Sequence, residues 1–193
     1  MLSVSGGGGS GRSRVSARAP GQQGQSASAL PPQCSRAYDH AVSYDIYFFN
    51  RPDGQSWDEL LEAMEKAAED SEPIPAHLLG AWDRIVPQAR TLLGAVELTE
   101  YERESRDLSH LGTGIDLSVF GDEVTITVPY WHAGDDAAVV FGQVSALAAI
   151  VEKETGLTAY DPQTERPLAE TPPEVSVELM SRTTEDLRSR YEG

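Results

Sequence analysis

Nine side chains in this sequence have types and spacings that could do chemistry. They fall in three short runs: Tyr44-Asp45, then Tyr130-Trp131-His132 followed by Asp135-Asp136, and Tyr160-Asp161. An imidazole close to several carboxylates is a donor set that a metal ion could use, so His132, Asp135, Asp136 and Asp161 define one chemistry, that of a small metal-dependent enzyme. No recognised ligand spacing such as H-E-x-x-H accompanies them. Trp and Tyr among carboxylates define a second chemistry, a protein-binding patch in which aromatics supply contact area and carboxylates steer a cationic partner. The second chemistry is the one the sequence favours, with no catalytic residue, metal or cofactor expected.

Other reactive arrangements are missing. Cys34 is the only cysteine, so one chain holds no disulfide framework or cysteine metal site, and no G-x-S-x-G elbow is present. Gly112-Thr-Gly114 is too short for a phosphate-binding loop, and G-x-x-x-x-G-K-[ST] does not occur. His77 and His110 stand in a helix and a loop context without a partner.

The charge distribution points the same way. Of 193 residues, 31 are acidic and 15 basic, a formal charge of −16. Residues 1–41 hold four arginines (12, 14, 18 and 36) against Asp39, giving +3 and leaving −19 on the rest. Such a domain repels DNA and anionic membranes and attracts cationic proteins. No apolar run approaches the roughly 18 residues of a membrane span, and residues 1–30 lack the apolar stretch of a secretory signal. The expected location is cytoplasmic.

The elements that must position the nine residues follow from periodicity. Residues 1–41, rich in Gly, Ser, Gln, Arg and Pro, are expected to be disordered. The folded pattern begins abruptly at Val42-Ser43-Tyr44, so Val42 is the expected natural start, with 1–41 as translated upstream sequence. Ser43–Phe49 reads as a central strand. Ser56-Trp-Asp-Glu59 is a capping box opening a helix with Trp57, Leu60, Leu61, Met64 and Ala68 buried and an end near Asp70. A second helix runs from Ala76 to Val86, where Pro87 kinks or ends it, with Gln88–Leu93 as an added turn. Ala95–Glu100 reads as an edge strand protected by charge and as a candidate dimer contact, and Glu104–Thr113 as a polar connector.

The clearest stretch comes next. Ile115–Phe120 and Glu123–Tyr130 alternate apolar and polar residues around Gly121-Asp122, a hairpin signal. Asp135 or Asp136 caps a helix to about Glu154 with Val140, Val144, Leu147 and Val151 as its stripe and Gly156 as its stop. Leu157–Tyr160 is a short last strand. Residues 164–193 form a Pro-rich extension in which Val175–Leu179 is either a strand or part of a helix ending near Tyr191. The order defines an α+β domain over 42–163, ferredoxin-like (βαββαβ), with an antiparallel sheet, an extra edge strand and two or three helices on one face. Its strand Glu123–Tyr130 lies between Ile115–Phe120 and Tyr44–Phe49. In that topology the three site runs meet at one edge of the sheet.

Three motifs carry a resemblance. Ser43-Tyr-Asp-Ile-Tyr-Phe-Phe49, Val124-Thr-Ile-Thr-Val-Pro-Tyr-Trp131 and Tyr160-Asp-Pro-Gln163 resemble a loose group of small bacterial proteins beginning Met-Ser-Tyr-Asp-(Ile/Leu)-Tyr with a late Tyr-Asp-Pro-Gln. The likeness covers about Val42–Gln163, and Val42 stands where those proteins have Met. Some members look like immunity proteins of polymorphic toxin systems, so the resemblance implies a partner role, the masking of a basic toxin, and no catalytic residues.

Overall fold

The computed structural model describes residues 43–51, 55–57, 59–62, 73–101 and 104–191. The expectations for the head 1–41, the start at Val42, the helix stripe at Met64 and Ala68, and its end near Asp70 lie outside the described residues.

The chain is α+β. Seven strands, β1 (Ser43–Phe49), β2 (Glu97–Tyr101), β3 (Ser105–His110), β4 (Ile115–Phe120), β5 (Glu123–Pro129), β6 (Thr158–Asp161) and β7 (Arg166–Pro167), form one antiparallel sheet in the order β2-β3-β4-β5-β1-β6-β7. Alternation places Ile115, Leu117 and Val119 of β4 beside Val124, Ile126 and Val128 of β5, with Tyr44, Ile46 and Phe48 of β1 next to them, all buried. Against this inner face pack α1 (Ala76–Leu93), α2 (Asp135–Thr155) and α3 (Pro173–Tyr191). The hairpin's second strand is central, as its pattern requires.

One segment differs from its sequence reading, and one reading left open is decided. The polar connector is a strand, because β3 places only Leu108 fully in the core and draws the rest of its stability from pairing on both sides. In the extension, Arg166–Pro167 forms β7, and of the two readings of Val175–Leu179 the helix is the one found: it lies within the 19-residue α3, whose completely buried side chains Ser176, Met180 and Thr184 are spaced four apart. The sheet is therefore larger than the expected arrangement with one extra edge strand.

The helix starts and stops explain the other boundaries. Pro87 lies inside α1, which continues to Leu93 and ends at Gly94. Gly134 occupies the N-cap of α2 at φ 57°, displacing Asp135 and Asp136 into the first turn. There their carboxylates still face the positive end of the helix dipole. Gly156 closes the helix in the left-handed conformation, its N–H bonded to the Glu152 carbonyl. Ser56 and Glu59 form the expected capping box: each backbone N–H meets the other's side-chain oxygen, at 3.0 and 3.3 Å. The helical segment that this box opens lies on the opposite, outer face of the sheet, where Trp57, Leu60 and Leu61 pack on Tyr47, Phe49 and Tyr160.

Candidate functional site

The structure brings the nine residues to one region of the sheet and divides them among three environments. Alternation along β1 is the first cause. Tyr44 points to the inner face and Asp45 to the outer one.

The inner environment is a buried polar cluster. Tyr44 donates its hydroxyl hydrogen to Asp161 Oδ2 at 2.5 Å across 117 residues of chain, and Ser176 of α3 donates to the same oxygen at 3.3 Å. The Gln163 backbone N–H donates to Asp161 Oδ1 at 2.9 Å. With the Gln163 amide nitrogen turned towards its acceptors, it adds a donor to Asp161 Oδ1 at 2.8 Å and another to the Asp45 carbonyl at 3.1 Å. Burial pushes the Asp161 carboxyl above the ordinary range against the opposing pull of these donors, and burial with the Asp161 charge raises the Tyr44 phenol. Tyr130 stands edge-on to Tyr44 with ring centres 6.3 Å apart, and its phenol is pushed up to about 12, first by burial, then by the charges of Asp45 and Asp161. Asp161 has no exposed surface. The cluster joins β1, β6 and α3.

The outer environment holds Tyr160, stacked on Trp57 with centres 4.4 Å apart, and Asp45, which is buried and accepts from the Ser43 hydroxyl.

The third environment is an exposed corner. Trp131 is 62% exposed, and Leu111, in the β3–β4 turn, is 70% exposed. Asp135 and Asp136 are exposed on the first turn of α2, and His132 is half-buried. The loop's backbone is held from one side of α3: Arg188 donates to the Trp131 carbonyl at 2.6 Å, Thr184 to the His132 carbonyl at 2.9 Å, and Ser181 Oγ accepts from the Gly134 N–H at 3.0 Å. Residues 181, 184 and 188 share one helical side, since i, i+3 and i+7 lie along one stripe. From the other side His132 Nε2 donates to the Thr113 carbonyl at 2.8 Å, while His110 Nδ1 lies 2.7 Å from Thr113 Oγ1. The loop carrying Trp131 is thus fixed through its backbone while the indole faces outward.

Sequence reasoning found Trp131 and His132 but not their supports. Thr184, Arg188, Ser181 and Thr113 carry no motif. Only the 181/184/188 spacing could have marked them, once the segment was known to be a helix. The metal arrangement does not assemble: His132 Nε2 is engaged by Thr113, Asp161 is enclosed with Tyr44, and among the described residues no three His, Cys, Asp or Glu side chains converge as a metal ion would require.

Two stability results follow from this corner. Thr184→Val keeps the shape of a buried side chain and removes the hydroxyl given to the His132 carbonyl, so denaturant unfolding should show a loss of about 1–2 kcal/mol. Gly114 sits at φ +70°, and a Cβ there would come within 2.7 Å of Pro129 Cγ and 3.0 Å of Trp131 Cζ3. Gly114→Ala should cost about 1–3 kcal/mol and shift the indole. Gly134, at φ 57° with open space around its Cβ, carries the backbone strain without the clash, so Gly134→Ala should cost about 1–2 kcal/mol, less than Gly114→Ala. Equal midpoints for the two glycine variants in thermal unfolding would contradict the close packing at Gly114.

Comparisons of the chain with protein-family models, with curated proteins and with solved structures give no match. Among the described residues, no helix is long and apolar enough to cross a membrane.

Proposed function

We propose that this protein is a cytoplasmic, non-enzymatic binding protein that recognises a basic protein partner through the Trp131 corner. One observation carries the reading: Trp131 is largely exposed while its backbone is tied down from α3. An exposed tryptophan on a fixed loop loses little conformational entropy on binding, the property of an interface anchor. Leu111 is likewise exposed in the β3–β4 turn, which is tied to the loop through Thr113 and His132, and the exposed Asp135 and Asp136 of the first turn of α2 favour a cationic surface. The resemblance to immunity proteins of toxin systems supports a basic toxin as that partner, and the neighbour order β4-β5-β1-β6 supports a ferredoxin-like centre to the sheet. The test is affinity capture at low ionic strength with wild-type and Trp131→Ala baits. A cationic protein held by the first, released by salt and lost from the second is the expected result; equal retention by both baits removes the corner from the interface.

A further inference from the structure

The outer face of the sheet is used unequally. Over β1 and β6 it is covered by the segment that begins at Trp57. Over β2, β3 and β4 no described element packs on it, since α1, α2 and α3 all lie on the inner face. Strand pairing fixes what this half presents among the described residues. One row across the strands runs Glu97, Ser109, Asp116; the next Thr99, Asp107, Ser118; the third Tyr101, Ser105, Phe120. Tyr101 is 55% and Phe120 44% exposed, and they stand two strands apart in one row, roughly 10 Å at the usual strand spacing. Asp107 is held upright by the Ser118 hydroxyl at 2.7 Å. No lysine or arginine of the described strands faces this side: Arg106 alternates to the inner face, towards Glu100, and Arg166 lies on β7.

We propose that the outer face of β2–β4 is a second docking surface, and that its occupant is an extended segment of a partner protein in which Arg or Lys alternates with apolar residues. The reason is complementarity of two kinds on a rigid support. Tyr101 and Phe120 offer separated apolar contacts and planar rings over which guanidinium groups stack. Glu97, Asp107 and Asp116 supply negative charge in the adjoining rows, with no lysine or arginine of the described strands among them. Hydroxyls of Thr99, Ser105 and Ser109 stand between them, so the face admits a polypeptide backbone without burying large unpaired groups. An alternating chain presents its cationic and apolar side chains on opposite sides, and when laid obliquely it can set one kind over the carboxylate rows and the other over the aromatic row. The surface is separate from the Trp131 corner, and its existence does not depend on that reading.

The test uses the full chain and two short synthetic peptides, one alternating arginine and leucine, the other glutamate and leucine, with affinities from calorimetry at low salt. The triple variant Glu97→Gln, Asp107→Asn, Asp116→Asn should bind the arginine peptide about tenfold more weakly, from three partly exposed charges of modest worth each. The triple variant Glu178→Gln, Glu185→Gln, Asp186→Asn, which changes the net charge equally on α3, should leave affinity within about twofold. Phe120→Ser should also weaken binding, and Trp131→Ala should not. Equal losses in the two triple variants, or equal binding of both peptides, overturn the proposal. So does a gain in affinity on deleting residues 1–42, which would make the chain's own arginine-bearing head the occupant. A monomer-to-dimer change on mixing, abolished by Phe120→Ser, would make the occupant a second copy and overturn it too.

Discussion

Asp161→Ala is expected to lower the stability of the fold by about 3 kcal/mol, the largest effect of any single substitution considered for this chain. The variant leaves the Tyr44 hydroxyl, the Ser176 hydroxyl and the Gln163 N–H without the acceptor they share in a fully buried site. Each unsatisfied buried donor costs roughly 1–3 kcal/mol, and partial relaxation keeps the total below their sum. At this size the melting midpoint should fall by roughly 6–12 °C. Tyr44→Phe, which removes one donor and keeps the ring packed edge-on to Phe141, should cost about 1–2 kcal/mol. A midpoint within about 1 °C of wild type for Asp161→Ala would show that the cluster does not tie β1, β6 and α3 together.

The same residue gives a pH signature. Burial raises the Asp161 carboxyl in the folded chain above its unfolded value, so the folded state binds the proton more tightly. Its contribution to stability is complete below the unfolded value, about 3.9, and is lost as pH rises through the folded value. The isosteric Asp161→Asn has no such proton to lose. Subtracting its stability from that of wild type across this window should leave a difference that declines as pH rises and then levels. A flat difference, or a rise, would contradict the burial of the ionised group.

Trp131→Ala is the second large effect, on binding rather than on folding. A central tryptophan anchor contributes about 2 kcal/mol or more to an interface, roughly a 30-fold loss of affinity when truncated. Because the indole is 62% exposed in the free protein, its removal should change unfolding free energy by no more than about 1 kcal/mol. The hydrogen bonds from Arg188 and Thr184 reach backbone carbonyls and survive the substitution. Large binding loss with small stability loss is the pattern that separates an anchor from a plug at the end of the sheet. A plug would show the reverse.

The parts of the fold legible in the sequence are those with a clean period. The Gly121-Asp122 hairpin and the Val140-Val144-Leu147-Val151 stripe required no tertiary information, because alternation and the 3.6-residue repeat each name one buried face. β3 was hidden because Ser105-Arg-Asp-Leu-Ser-His110 gives the core one fully buried residue, and a strand paired on both sides needs little more. For α3 the sequence leaves helix and strand both open, because two of its fully buried side chains, Ser176 and Thr184, are polar and serve Asp161 and the His132 carbonyl. Hydropathy scores such positions as surface. For the site, the convergence of Tyr44, Tyr130, Trp131 and Asp161 was readable from strand order, but their exposure was not. Exposure depends on what covers each face, and α3 encloses Asp161 while leaving Trp131 outside.

The role of the Trp131 corner is decided by the affinity of the captured cationic partner for wild-type protein and for Trp131→Ala, each at low and at high salt. Affinity should fall with salt for wild type, and Trp131→Ala should be weaker by roughly 30-fold at low salt, with its unfolding free energy within about 1 kcal/mol of wild type. Affinity unaffected by the substitution, at either salt concentration, would contradict that role.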